Sequence, residues 1–193
     1  RNHELIKAIT DNTAAKPRLY PSKKDFEDVR HLKYRLYVVI APASIWFTKQ
    51  FPAKKWIEFI RLLPQDLQVY LVGGSDDEKL CDEILKECKG KSIMNLCGQY
   101  NFLQSAALQK DAVMNYVNDS APLHFSSAIN APVTAVYCST IPSFGFGPLS
   151  DKSFIVEIQE KLSCRPCTLH GRRACPLGHF NCAYKIKNEQ LLQ

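Results

Sequence analysis

The sequence lacks the features of a membrane-embedded chain. No apolar run reaches the roughly 18 residues that a membrane-spanning helix needs, and the residues near Arg1 lack the apolar core of a signal peptide. Neither an internal repeat nor a low-complexity tract is present. The chain also lacks an initial methionine, and its first stretch is polar and of mixed charge. We therefore interpret it as a soluble domain that is a fragment or a trimmed form of a longer chain.

Acidic residues are missing from one long segment near the end of the chain. Residues 161–187 contain no aspartate or glutamate, whereas the whole chain of 193 residues has a net charge of +6. The basic residues of this segment are Lys161, Arg165, Arg172, Arg173, Lys185 and Lys187. Such a patch can attract nucleic acid, anionic lipid or a phosphorylated substrate, or be simply solvated, and charge alone does not choose among these roles.

The order of the apolar runs predicts the fold class. Strand-like runs alternate with amphipathic helical stretches, which is typical of strand-helix-strand units around a parallel sheet. The predicted strands are residues 36–41, 67–74, 92–96, 112–118, 132–138 and 153–158. We predict an α/β fold with a Rossmann-like parallel sheet flanked by helices over residues 36–160. Residues 1–35 are then a linker or connector segment, and residues 161–193 are a basic, cysteine-rich tail and C-terminal segment.

Polar residues gather where the first two predicted strands end. Ligands of parallel α/β sheets bind at the carboxyl ends of the strands, where loops lead into helix N-termini. Ser44, Thr48 and Lys49 follow the first strand, and their hydroxyl and ammonium groups suit a diphosphate, although most lysines are simply solvated. After the second strand, Gly73-Gly74 permits close backbone approach. Asp76 then either accepts hydrogen bonds from a sugar hydroxyl pair or caps the next helix.

The loop after the strand at 112–118 is the third candidate. Asp119 and Ser120 are good helix N-cap residues, and Pro122 fits a first helical turn. The exposed N–H groups of such a helix start can hold a phosphate. Taken singly, Asp119 has a strong alternative interpretation as a helix cap. A lone histidine such as His124 is more often a packed or hydrogen-bonded residue than a ligand-binding one. The joint occurrence of three polar loops at one sheet edge favours a binding site.

Three sequence stretches between residues 38 and 142 resemble the donor-site motifs of glycosyltransferase family 9. They are APASIWFTKQFP, VYLVGGSDDE and VNDSAPLHFSSAINAPVTAVYCSTIP, in matching order and spacing. The resemblance implies the C-terminal, donor-binding half of a two-domain GT-B enzyme similar to ADP-heptose:lipopolysaccharide heptosyltransferases. It implies inverting transfer of a heptose-type sugar from a nucleoside-diphosphate donor to the lipopolysaccharide core, with no catalytic metal. The acceptor domain would be absent, so this fragment alone is expected to be inactive.

The resemblance also implies roles for single residues. Ser44, Thr48 and Lys49 would belong to the donor-diphosphate loop, with Lys49 and Asp119 as the catalytic pair. Asp119 would contact the transferred sugar. Asp76 stands where the family commonly has a glutamate that contacts the nucleoside.

In the third loop, Ser120 and Ala121 would offer backbone N–H groups to the phosphates, with His124 nearby. Ala43 and Ala121 replace glycines that are common in the family, so two positions of close backbone approach carry a methyl group.

The eight cysteines fall into two sets. The scattered Cys81, Cys88, Cys97 and Cys138 lie in apolar or helical patterns, which indicates buried thiols and a reducing compartment. The tail cysteines follow the spacing C-x2-C-x7-C-x6-C and are Cys164, Cys167, Cys175 and Cys182. They resemble a motif of a subset of family 9. A structural zinc site, two disulfides and four reduced thiols are the open alternatives.

Two other functions compete with this interpretation. One is another nucleotide-sugar enzyme of GT-B architecture, such as an epimerase, which would keep the diphosphate site. The other is a zinc-stapled module whose basic tail contacts nucleic acid, which the absence of an aromatic recognition pair in the tail disfavours. By resemblance, the expected location is the cytoplasmic face of the bacterial inner membrane. The expected partners are the donor and, through the absent domain, a lipopolysaccharide acceptor, with peripheral membrane association.

Overall fold

The computed structural model describes residues 2–11, 13 and 15–192. Its centre is a six-stranded sheet in which every neighbouring pair of strands is parallel, in the order β3-β2-β1-β4-β5-β6. The strands are β1 (Tyr37–Ala41), β2 (Gln68–Leu71), β3 (Ile93–Asn95), β4 (Met114–Asn118), β5 (Val133–Tyr137) and β6 (Ser153–Glu157). This arrangement confirms the predicted Rossmann-like α/β fold. Strand order reverses between β1 and β4, which is where such sheets bind ligands.

Helices connect the strands and cover both faces of the sheet. They are α1 (Asn2–Ile6), α2 (Lys23–Asp28), α3 (Ala53–Leu62), α4 (Glu78–Glu87), α5 (Phe102–Lys110), α6 (Ala121–Ala128) and α7 (Asn181–Tyr184). In α3, Trp56, Phe59 and Ile60 recur at helical spacing and are fully buried. None of the helices in the described part of the chain has the length and apolar character needed to cross a bilayer.

The alternation of side chains along β1 divides the core into two layers. Val38 and Ile40 belong to the layer that contains α3 and α4. Val39 belongs to the opposite layer, with residues from α5 and α6. A strand buried on both faces needs apolar residues throughout, which explains why the run at 36–41 does not alternate with polar residues.

The tail shares the first of these layers. Phe180, Ile186 and Leu191 are buried together with Trp56 of α3. Residues 161–193, which the composition sets apart as a basic segment, therefore contribute to the main core. The predicted domain boundaries themselves stay a prediction.

The second strand is shorter than the sequence predicts. It ends at Leu71 instead of residue 74, and Gly73 and Gly74 lie in the loop beyond it. A Cβ atom on Gly73 would lie 2.7 Å from Oδ2 of Asp77, so the helix start folds back onto a residue without a side chain. Glycine is needed here for close approach of the backbone.

Candidate functional site

A cleft of about 800 Å³ opens at the carboxyl ends of β1, β2 and β4. All three polar loops of the sequence contribute to its lining. The predicted site residues that line it are Ser44, Lys49, Asp76, Asp119, Ser120 and Ala121. Ala43, which stands in place of a glycine, lines it as well. Residues from separate loops, as far apart as 44 and 121, are thus brought to one concave surface.

Lys49 and Asp119 form an ion pair in this cleft. Lys49 Nζ lies 2.8 Å from Asp119 Oδ2, and the two side chains are only 16% and 7% exposed. The same Oδ2 accepts a hydrogen bond of 2.7 Å from the hydroxyl of Thr140. An ion pair so shielded from water interacts more strongly than a surface pair and holds both side chains in place.

Asn118 connects the loop after β1 to the end of β4. Its Oδ1 accepts from the N–H of Phe51 at 2.9 Å, and its Nδ2 donates to the carbonyls of Pro42 at 2.7 Å and Ala43 at 3.2 Å. The amide is fully buried. These bonds fix the loop that carries Ser44 and Lys49 relative to Asp119. The signal in the sequence was an amide at the last position of a buried strand, directly before Asp119.

Helix α6 begins at the cleft without a side-chain cap. Its N-cap residue, Ser120, makes no capping hydrogen bond, whereas α2 and α5 both begin with capping boxes. The first N–H groups of a helix have no partner within the helix, and they carry its positive dipole end. Among the described residues no side chain caps this helix start, so it is open to an anion in the cleft.

Asp76 and its neighbour Asp77 have different roles. Asp77 Oδ2 accepts from the N–H of Gly74 at 2.9 Å and so serves as the cap of this turn. Asp76 lines the cleft, is exposed, and makes no hydrogen bond or ion pair with any residue that the structure describes. Its carboxylate is free to accept from a ligand.

Two residues predicted for the donor site lie outside the cleft lining. Thr48 is buried, and its hydroxyl accepts from the N–H of Arg172 at 2.7 Å and from the Ser139 hydroxyl at 3.0 Å. His124 lies on α6 with its ring 6.3 Å from that of Phe146. Burial lowers the pKa of His124, with Lys49 adding to the effect and Asp119 opposing it, so its neutral form is favoured. Thr48, by contrast, stabilises the loop through its bonds to Arg172 and Ser139, on the side away from the cleft.

One wall of the cleft is aromatic, and the sequence reasoning missed it. Phe102 of α5 and Phe125 of α6 lie with ring centroids 5.3 Å apart, and both line the cleft beside Tyr100. Ser105 and Gln109 lie on the same face of α5 as Phe102, at positions i+3 and i+7. Aromatic and apolar surface of this kind suits a planar ring such as a nucleobase. Helical spacing of residues 102, 105 and 109 was the available signal.

The cysteines are free thiols, so the disulfide alternative for the tail is not seen. Burial, together with the nearby Cys167, Cys164 and Cys175, raises the pKa of Cys182 to about 12. In the described part of the chain, no group of three or more His, Cys, Asp or Glu side chains is arranged to hold a metal ion. Zinc binding by the tail stays a prediction. Cys81, Cys88, Cys97 and Cys138 are buried, as expected.

Comparison with known proteins identifies the family. A model of glycosyltransferase family 9 (heptosyltransferase) matches residues 1–177. The chain belongs to glycosyltransferase family 9. Among curated relatives, lipooligosaccharide heptosyltransferase 2 of Haemophilus influenzae is 32% identical over 118 residues, which are 56% of this chain and 34% of that protein. Lipopolysaccharide heptosyltransferase 3 of Escherichia coli is 36% identical over 107 residues, covering 54% and 31%. The chain thus spans about a third of the length of these relatives in the aligned regions.

Solved structures of heptosyltransferases share the fold. The E. coli ADP-heptose lipopolysaccharide heptosyltransferase II superimposes with a TM-score of 0.74 at 20% identity, over 96% of this chain and 54% of that one. The E. coli heptosyltransferase WaaC, solved with ADP, gives a TM-score of 0.65 at 17% identity, over 97% and 52%. The predicted family and its fold are confirmed.

Proposed function

We propose that the cleft binds the nucleoside-diphosphate sugar donor of a heptosyltransferase, with ADP-heptose as the donor type. The observation that carries the proposal is the meeting of Lys49, Asp119 and the uncapped start of α6 in one cleft. A buried ammonium and free helix N–H groups together bind a diphosphate well. The solved relative WaaC with ADP supports the same ligand class.

The cleft has chemistry for each part of such a donor. The diphosphate would lie between Lys49 and the N–H groups at Ser120 and Ala121. The carboxylate of Asp76 would accept from the ribose, and the aromatic wall at Phe102 would contact the base. Asp119, at the bottom of the cleft, would accept from hydroxyls of the transferred sugar.

In the full-length enzyme we propose an inverting transfer. The bond between the anomeric carbon of the heptose and the diphosphate oxygen breaks, and an acceptor hydroxyl oxygen bonds to that carbon from the opposite face. The hydroxyl proton passes to a base outside these residues, and the nucleoside diphosphate leaves. Lys49 and the N–H groups of α6 stabilise the negative charge that develops on the leaving diphosphate. The aligned region spans about a third of the curated relatives, so we propose this reaction for the full-length enzyme and donor binding for the residues described above.

The proposed acceptor is the lipopolysaccharide core, and the name of the relative lipopolysaccharide heptosyltransferase 3 supports lipopolysaccharide as the acceptor class. We place the enzyme at the cytoplasmic face of the bacterial inner membrane. The basic residues of segment 161–187 suit an anionic lipid surface. An epimerase would use the same donor site, and product analysis with ADP-heptose separates it from a transferase.

The test is calorimetric titration of the chain with ADP, ADP-heptose and UDP, using Lys49→Met and the matched variant Lys54→Met. Lys54 is exposed on α3 and outside the cleft, so both variants lose one positive charge. We expect saturable ADP binding that weakens by about 10- to 100-fold in Lys49→Met, because a charge-assisted hydrogen bond is worth about 1.5–3 kcal/mol. Lys54→Met should bind as the wild type does.

Equal ADP affinity in all three proteins would remove Lys49 from the site. No saturable nucleotide binding by the wild type, together with tight binding of a short DNA duplex at moderate salt, would replace the donor-site proposal with the nucleic-acid module.

A further inference from the structure

The tail is attached to the loop that carries Lys49 through backbone hydrogen bonds. The N–H of Thr48 donates to the carbonyl of Arg172 at 3.0 Å, and the N–H of Arg172 donates to the Thr48 hydroxyl at 2.7 Å. This pair of bonds joins residues 124 positions apart. Both the backbone N–H and the side-chain hydroxyl of Thr48 are therefore bonded to Arg172, directly before Lys49 in the chain.

A second set of bonds anchors this contact to the sheet. Ser139, just beyond β5, donates its N–H to the carbonyl of Thr48 at 3.2 Å and its hydroxyl to the Thr48 hydroxyl at 3.0 Å. Its carbonyl accepts from the N–H of Cys167 at 3.0 Å. Thr48 thus lies between the sheet and the tail, and its hydroxyl oxygen accepts a hydrogen bond from each of them.

The side chain of Lys49 rests directly on the tail at Gly171. A Cβ atom added to Gly171 would lie 2.9 Å from Cγ and 3.2 Å from Cδ of Lys49, and 3.0 Å from Cβ of Trp46. Gly171 also has a φ of +85°, within the left-handed region. Thr168 closes this turn by accepting from the N–H of Gly171 at 2.9 Å. The lysine stem therefore passes over a position that tolerates no side chain.

We propose that the segment Thr168–Arg172, which we name the tail clamp, is a positioning element for Lys49 in donor binding. The proposal rests on the donor-site function of the cleft. A lysine side chain loses conformational entropy when it is fixed, and the regular structure around it is a three-residue 3-10 helix, Phe47–Lys49. By fixing the backbone at Thr48 and the stem at Gly171, the clamp imposes that order before the ligand arrives. Pre-organisation of this kind increases affinity.

The deciding experiment compares Gly171→Ala with Gly178→Ala in the same chain. Gly178 also lies in the tail with positive φ, at +72°, but an added Cβ there would meet no atom within 4 Å. Both substitutions force alanine into a left-handed conformation, which lowers the melting temperature in each case, and the contacts with Lys49 and Trp46 should lower it further in Gly171→Ala. Only Gly171→Ala pushes against Lys49. We expect its dissociation constant for ADP to rise about fivefold or more, with Gly178→Ala unchanged.

A near-isosteric variant, Thr48→Val, tests the same clamp without backbone strain. It removes the hydroxyl that accepts from Arg172 and from Ser139, so ADP binding should weaken in the same direction. The proposal would be overturned if Gly171→Ala and Thr48→Val both bound ADP with the same affinity as Gly178→Ala.

Combination with Lys49→Met shows whether the effect passes through the lysine. In that background we expect Gly171→Ala to cause no further loss of ADP affinity, because methionine keeps the stem but lacks the ammonium that the clamp positions. A full, additive loss would also overturn the proposal, since the tail would then act by another route. Failure of the donor-site function is a separate outcome, in which the unmodified chain does not bind ADP at all.

Discussion

At the scale of single residues, Lys49 and Asp119 compete with any ligand for each other. Lys49 Nζ is 2.8 Å from Asp119 Oδ2, which is the distance at which it would hold a phosphate oxygen. Donor binding must therefore share the ammonium between a carboxylate and a diphosphate. Thr140 keeps a hydrogen bond to the same carboxylate oxygen, so Asp119 is not left without a partner when the lysine shifts.

This competition predicts the behaviour of Asp119→Asn. The amide keeps the shape of the side chain and removes its negative charge, so the ammonium becomes fully available and a like charge near the diphosphate is lost. We expect ADP affinity to rise several-fold, while ADP-heptose loses its advantage over ADP because the sugar contact is weakened. Calorimetry with both ligands measures the two affinities.

Asp66→Asn is the control, because Asp66 is exposed and outside the cleft lining. An unchanged ratio of ADP-heptose to ADP affinity in Asp119→Asn would contradict the assignment of Asp119 to the sugar.

At the scale of elements, the start of α6 differs from those of α2 and α5. Asn101 at the start of α5 accepts from two N–H groups, and Ser22 at the start of α2 forms a capping box. Ser120 caps nothing with its side chain. A missing cap costs a helix about 0.5–2 kcal/mol, and such a cost is tolerated where the open N–H groups bind a ligand.

Ser120→Asp should therefore exchange ligand binding for stability. Because Pro122 has no N–H, the new carboxylate can accept from the N–H of Leu123, and it can interact favourably with the helix dipole, which stabilises the fold by about 0.5–1 kcal/mol. The same carboxylate occupies the anion site and repels a diphosphate. We expect a higher urea midpoint and at least about tenfold weaker ADP binding.

Ser22→Asp adds the same charge to a helix that is already capped, outside the cleft lining, so it should leave ADP affinity unchanged. If Ser120→Asp bound ADP as tightly as the wild type, the start of α6 would not be part of the donor site.

The elements and the polar loops could be predicted because their signals are local. Apolar runs gave all the strands, and Ser44, Lys49, Asp76, Asp119 and Ser120 follow from strand ends and from family motifs. The inward or outward direction of Thr48 could not be predicted, since the partner that engages its hydroxyl is Arg172, far away in sequence. The same holds for the aromatic wall, where Phe102 and Phe125 meet only because α5 and α6 pack together.

At the scale of the whole molecule, the tail belongs to the body in both packing and electrostatics. Arg165 donates to the carbonyls of Cys138 at 2.7 Å and Thr140 at 2.8 Å, beyond the end of β5, and pairs with Glu157 of β6 at 2.6 Å. One basic residue of the segment thus serves the fold instead of an external anion. Composition alone set the tail apart because it records charge and cysteine content but not burial.

The packing of the tail predicts a single cooperative unfolding transition, which two neighbouring leucines can test. Leu191 is fully buried in the layer that contains Trp56, and Leu192 is 45% exposed. Leu191→Ala should destabilise the whole chain by about 2–5 kcal/mol, because it removes core contacts and leaves a cavity. Leu192→Ala should stay within about 0.5 kcal/mol of the wild type. Urea unfolding followed by tryptophan fluorescence and by far-ultraviolet circular dichroism gives both values. If the tail instead folded as a separate unit, Leu191→Ala would show an additional transition at low urea. The main transition, followed by circular dichroism, would then keep its wild-type midpoint.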